Sequence, residues 1–117
     1  MRVKGGYVAR RRRKKIIDLA SGQYGNRKSN FKFANVCVMK SLQYAYNHRR
    51  HRKGDMRALW ITRIGAAVRE FDINYSKFIY GLKSAGIEIN RKMLAELAVN
   101  NKEAFGNLVE VAKTHIA

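Results

Sequence analysis

The sequence predicts an all-α fold: an extended N-terminal tail and a long basic helical arm, followed by a small helical globular domain. Three observations carry this expectation. The chain has no proline, so nothing forces a helix break by that route. No run alternates apolar and polar residues, and no Asn-Gly or Asp-Gly turn joins two β-rich runs. Apolar residues in the second half recur at helical spacing instead: Leu59, Ile64, Val68 and Phe71, then Phe78, Ile79 and Leu82, then Leu94, Leu97 and Ala98, then Phe105, Leu108, Val109, Ala112 and Ile116.

The elements follow in order. Residues 1–8, with Gly5-Gly6, read as an extended tail. A first helix is expected over about 9–21, ended by the bend Gly22-Gln23-Tyr24-Gly25. Ser29 or Asn30 suits the N-cap of a second helix over about 31–72, with Gly54 and Gly65 as its weak points. Asn74 or Ser76 suits the cap of a helix to about Ala85, which Gly86 ends. Asn90 suits the cap of 91–100. Asn100-Asn101-Lys102-Glu103 has the form of a capping box opening 103–115. Four short helical segments, with Trp60 and Ile61 added to the apolar set, share one core of a size near the lower limit for independent folding.

Charge divides the chain. The net charge is +17 and the pI about 10.6. Residues 1–63 carry 18 Lys/Arg against Asp18 and Asp55; residues 64–117 carry 7 against 6 acids. The expected division is a basic arm over 1–58 and a near-neutral globule over 59–117. Charge of this size argues about partners, not fold, and points to a polyanion.

The run Arg10-Arg11-Arg12-Arg13-Lys14-Lys15 makes the point locally. In a helix, Arg10/Arg13, Arg11/Lys14, Arg12/Lys15, Arg10/Lys14 and Arg11/Lys15 repel at spacings of three and four. Together they cost a free helix roughly 1–2.5 kcal/mol. A dense array of phosphates reverses that sign. The segment Asn47-His48-Arg49-Arg50-His51-Arg52-Lys53-Gly54-Asp55 is more informative still, with no apolar residue over more than two turns. A helix polar all round has no protein surface to bury against.

The basic track is therefore the candidate RNA-binding surface: Arg2, Lys4, Arg10, Arg11, Arg12, Arg13, Lys14, Lys15, Arg27, Lys28, Lys32, Lys40, Arg49, Arg50, Arg52, Lys53, Arg57 and Arg63, with His48 and His51 among them. Aromatics are interleaved: Tyr7, Tyr24, Phe31, Phe33, Tyr44 and Tyr46. Of these, Tyr24, Tyr44 and Tyr46 are the candidates for stacking on unpaired bases. Against this reading stand a nuclear-localisation-like patch at 10–15 and a plain solvated face, which cations all round the helix disfavour. His48 and His51 sit three apart, but no acidic or Cys partner nearby favours a metal, and none is expected. Cys37 stands alone between Val36 and Val38, so it reads as a small packing residue in a reducing compartment.

Other classes are expected to be absent. There is no GxSxG, P-loop or HExxH, so no catalytic residue, cofactor or small-molecule substrate is assigned. No apolar run approaches the roughly 18–20 residues of a membrane span. Arg49–Lys53 lacks the apolar face of an interfacial helix, and the N-terminal cations have no apolar segment behind them.

One block is specific beyond its chemistry. Lys53-Gly54-Asp55-Met56-Arg57-Ala58-Leu59-Trp60-Ile61-Thr62-Arg63-Ile64, with Arg69 after it, resembles the bacterial-type large-subunit ribosomal protein family L-twenty. Supporting blocks are Gly22–Arg27, Gln43-Tyr44-Ala45-Tyr46, Tyr75–Ile79 with Gly81-Leu82-Lys83, and Ile89-Asn90-Arg91-Lys92 with Leu94-Ala95. The resemblance covers essentially the whole chain. It departs at Gly65, where the family pattern has Asn or Ser, and at Gly5, where many relatives have a cation.

The resemblance implies a non-catalytic constituent of the large subunit that binds large-subunit (23S-type) rRNA directly, promotes assembly, and neighbours other large-subunit ribosomal proteins. It implies an arm threading into RNA and a globule that also contacts it, adding Lys83, Arg91 and Lys92 to the expected contacts. It implies repression of its own messenger in some bacteria. The expected location is the ribosome of a bacterial cytoplasm, with an organellar ribosome as the variant. The competing class is a histone-like DNA-compacting protein. The Trp60 block, the interleaved aromatics and the lack of a dimerising stripe count against it.

Overall fold

In the computed structural model, residues 3–116 are described. The order of elements is α1 (Val8–Leu19), a 3-10 turn (Gly25–Arg27), α2 (Phe31–Arg69), α3 (Tyr75–Ser84), α4 (Arg91–Asn100) and α5 (Lys102–Thr114), with no strand among the described residues. The all-α expectation holds. The chain resolves into two compact units, Met1–Arg50 and His51–Ala117, and α2 contributes to both.

The first unit has a small core of its own, away from the all-polar stretch 47–55. Ala20, Ala34 and Val38 form a small buried cluster, with Ile16 and Ile17 packed against it. Ala20 and Ala34 are fully buried. Alanine carries no bulk beyond Cβ, so two backbones can approach closely there. Gly22, at φ 88, turns the chain after α1. Asn30, not Ser29, caps α2: its Oδ1 accepts from the Lys32 amide at 3.2 Å. Helix α1 starts at Val8 and ends at Leu19, so it begins inside the expected tail and stops before residue 21. Cys37 is half-buried.

The second unit has one apolar core and, among the described residues, no buried polar side chain. Ile64 and Val68 of α2, Ile73, Phe78 and Leu82, Leu94, Ala95 and Ala98, and Phe105, Val109 and Ala112 make it up. The Phe78 and Phe105 rings lie 5.4 Å apart, tilted by 47°. Helix α5 is the hub, packing on both α3 and α4. Trp60 is half-buried and packs against this core. Leu59 does not belong to it. At 40% exposed it lies on the outer face of α2, one residue round from Trp60.

The helix ends explain the remaining differences. Helix α2 stops at Arg69, short of the expected 72. Asp72, at φ 57, adopts the left-handed conformation. The Ile73 amide then donates to the Val68 carbonyl at 3.3 Å and the Asp72 amide to Arg69 at 3.2 Å, a Schellman closure with Val68 and Ile73 both buried. Gly86, at φ 71, repeats it after α3, with the Ile87 amide on Leu82 at 3.0 Å. Asn74 occupies the N-cap of α3, but its side chain makes no capping bond. Asn90 caps α4 through the Met93 amide at 2.9 Å. Asn101 caps α5 through the Ala104 amide at 3.0 Å, so α5 begins at Lys102. Ala104 then holds the third position, and no capping box with Glu103 forms.

Candidate nucleic-acid interface

From Met39 to Leu59 every residue of α2 is exposed. These are 21 consecutive residues of one helix with no face turned to protein. They hold Lys40, Arg49, Arg50, Arg52, Lys53 and Arg57 against Asp55. An isolated helix owes most of its stability in proteins to packing of an apolar face. Along 39–59 this one has no such face.

Four aromatics of the first unit, Tyr7, Phe31, Tyr44 and Tyr46, lie beside cations. Arg50 sits over the Tyr46 ring, 4.3 Å from its centre, and also donates to the Tyr46 hydroxyl. Lys40 lies 6.0 Å from the Tyr44 ring, and the Tyr44 and His48 rings stack with centres 6.1 Å apart. These pairs sit at i and i+4 along α2, the spacing that brings side chains together. Arg50 is therefore tied to its own helix, a link that its all-polar sequence neighbourhood does not suggest.

Around α1, Arg11 lies 5.6 Å from the Tyr7 ring and Arg13 5.8 Å from the Phe31 ring. Arg11, Lys14 and Lys15 line a concavity of about 460 Å³ together with Asp18 and Leu19. Arg11 and Lys15 also border a second, of about 360 Å³, with Val8 and Arg12. Among the described residues, none of Arg10–Lys15 has a carboxylate within ion-pair reach. Among the described residues no ion pair offsets the repulsion counted along this run. Tyr7 and Phe31, named in the sequence as interleaved aromatics, are thus engaged with the run but were not among the expected contacts.

Other expected residues fall as follows. Lys4, Tyr24, Arg27, Lys28 and Lys32 are exposed in the first unit, as are His51, Arg57, Arg63, Lys83 and Lys92 in the second. Arg2 lies outside the described residues. Arg91 is half-buried, and its Nε donates to the Tyr75 hydroxyl at 2.8 Å. The ion pair Lys102–Glu70, at 3.5 Å, is exposed on both sides and contributes little.

The second unit adds a concavity of about 350 Å³, lined by Trp60, Arg63, Lys92, Ala95, Glu96, Val99 and Asn100. Glu96 and Val99 were not singled out in the sequence, and Asn100 only as part of a capping box. Lys92, Glu96 and Asn100 do repeat every four residues on α4, and that spacing is a legible signal. No described helix is long and apolar enough to cross a membrane, and no group of three or more His, Cys, Asp or Glu in the described residues could hold a metal.

One comparison bears on this geometry. The family model described as Ribosomal protein L20 matches residues 2–108, spanning both units.

Proposed function

The chain belongs to the ribosomal protein L20 family, and from that premise we propose that it binds large-subunit, 23S-type rRNA directly and promotes assembly of the subunit. Membership makes it a structural constituent of the large ribosomal subunit, within a ribonucleoprotein. Its contribution is non-catalytic: it neutralises phosphate and fixes position. Residues 1–58 act as the RNA-penetrating arm and 59–117 as the positioning domain, in a bacterial ribosome.

The observation that carries the reading is the exposed stretch 39–59 of α2. Such a helix gains nothing from protein packing and repels itself along Arg49–Lys53. Folded RNA supplies phosphates on all sides, and its bulges and loops supply bases for Tyr44 and Tyr46. Arginine suits this surface better than lysine, because its planar fork meets phosphate bidentately and stacks on bases.

The test is crosslinking in cells, followed by purification of the protein and sequencing of the attached RNA. Crosslinks concentrated at a few large-subunit rRNA sites are expected. Crosslinks spread without preference over messengers and DNA would overturn the reading.

A further inference from the structure

We propose that the concavity between the start of the second unit and α4 is a pocket for one unpaired guanine. The inference rests on the RNA-binding reading and deepens it, naming which base this surface reads. Trp60 and Arg63 line it from α2, and Lys92, Ala95, Glu96, Val99 and Asn100 from α4. Its volume is about 350 Å³, at the small end of the range for ligand pockets. That size suits a single base better than a stack.

The lining divides by chemistry. Trp60 and Val99 give an apolar wall, and the buried Ala95 a floor of minimal bulk. An aromatic wall of this kind is what splayed-out RNA bases stack against. Arg63 and Lys92 are exposed cations at the rim, placed for the phosphates on either side of an extruded nucleotide. Glu96 and Asn100 follow Lys92 at steps of four, so the three side chains share one face of α4.

Glu96 decides which base. Among the described residues its carboxylate makes no hydrogen bond and no ion pair, although Arg63 and Lys92 line the same concavity. A bare carboxylate on an RNA-facing surface is repelled by phosphate unless donors engage it. An ionised carboxylate only accepts hydrogen bonds, through two oxygens. Guanine is the standard base whose Watson–Crick edge sets two donors, N1–H and the N2 amino group, side by side. Adenine, cytosine and uracil each present one donor position on that edge. Guanine can therefore occupy both oxygens at once, and Asn100 can meet the neighbouring O6 by donating from its amide.

Trp60 is the only tryptophan in the sequence, which makes it a reporter of this pocket. The experiment titrates the full chain with RNA hairpins carrying a single bulged nucleotide: guanosine, adenosine, cytidine, uridine or inosine. Affinity and Trp60 quenching are read at one fixed salt concentration. The guanosine hairpin should bind about tenfold tighter than the others, the discrimination expected of one bidentate base contact. It should also quench Trp60 most. Inosine lacks the N2 amino group and should fall with adenosine.

Glu96 is exposed, so Glu96→Gln should fold normally. It should reduce the guanosine preference to less than threefold. Asn100→Ala should reduce it in part. Equal affinities across the five hairpins would overturn the pocket while leaving RNA binding intact, as would a guanosine preference that survives Glu96→Gln. Failure of every hairpin to bind would remove the RNA-binding reading and the pocket with it.

Discussion

Gly81 of α3 lies directly on the backbone of Ala112 of α5. A Cβ added at Gly81 would stand 2.9 Å from both Cα and the carbonyl carbon of Ala112, and closer still to its oxygen. Backbone atoms cannot rotate away, so the two helices must separate to admit even a methyl group. Gly81→Ala should therefore destabilise the protein by about 1–3 kcal/mol, the usual cost of overpacking, despite alanine's better helix propensity. Gly65 is the internal control, since nothing lies within 4 Å of a Cβ there. Gly65→Ala should raise stability by up to about 1 kcal/mol. Denaturant melts followed by circular dichroism separate the two outcomes, and a neutral Gly81→Ala would show that the two helices pack more loosely than described.

Asp72 closes α2 in a conformation glycine adopts at no steric cost. Its φ of 57 is supported by the two Schellman bonds and by burial of Val68 and Ile73 on either side. Replacing it by glycine removes the Cβ clash and should stabilise the chain by about 0.5–1 kcal/mol, partly offset by the freer unfolded state. Asp72→Val should do the opposite, because a β-branched residue is poorly tolerated there. The midpoint of thermal unfolding is the measurement, and a gain with valine would rule out the strained geometry.

Much of this fold was legible because helices announce themselves in apolar spacing and caps. Asn90 and Asn101 precede apolar-periodic runs, and both cap as their side-chain chemistry allows. Gly86 was readable as a stop because it carries no Cβ penalty. Asp72 was not, since an aspartate at that position looks like any polar residue in a continuing helix. The small cluster of Ala20, Ala34 and Val38 was missed for a different reason. Its members lie across a bend, and Ile16-Ile17 directly follow a cationic run, so no apolar period marks them. Leu59 was misplaced because Leu59, Trp60 and Ile61 are contiguous, and a helix can turn only part of such a triplet inward. In the candidate site, charge and aromatic interleaving were visible in the chain. The pairing of Trp60 with Glu96 depends on how α4 docks, which no local pattern records.

Protease sensitivity should follow exposure along α2. Trypsin needs Lys or Arg in a segment that opens readily, and local opening is easiest where few apolar neighbours resist it. Arg49, Arg50, Arg52 and Lys53 lie in the fully exposed stretch, whereas Ile64 and Val68 anchor the helix beyond them. The free chain should be cut first within 49–53, leaving a fragment that contains the second core. Bound rRNA should protect those sites. First cuts after Lys83 or Lys92 would mean that the core, and not the arm, is the weaker part.

Salt gives a global measure of how many phosphates the chain neutralises. If that number is about ten, the log–log slope of affinity against salt should be roughly −7 to −9, depending on RNA form. A slope shallower than about −3 for the full chain would show that the cationic stretch is not the main electrostatic contact.

The final prediction separates the arm from the core. Arg49, Arg50, Arg52 and Lys53 are all exposed, and Arg50 is tied to Tyr46 of the same helix. Changing all four to Ala should flatten the salt slope by about three units, near 0.7–0.9 for each phosphate no longer neutralised. The melting of the second core should hardly move, because none of the four touches it. Trp60→Ala acts on both properties. The ring is half-buried, so truncation should cost about 2–3 kcal/mol, below the range for a fully buried aromatic. Because the ring also lines the concavity with Glu96, any guanosine preference should disappear as well. Trp60→Phe keeps an aromatic wall and most of the packing, so it should restore much of the stability and part of the preference. A Trp60→Ala protein that melts like the parent would place the ring outside the core and leave only its RNA-facing role.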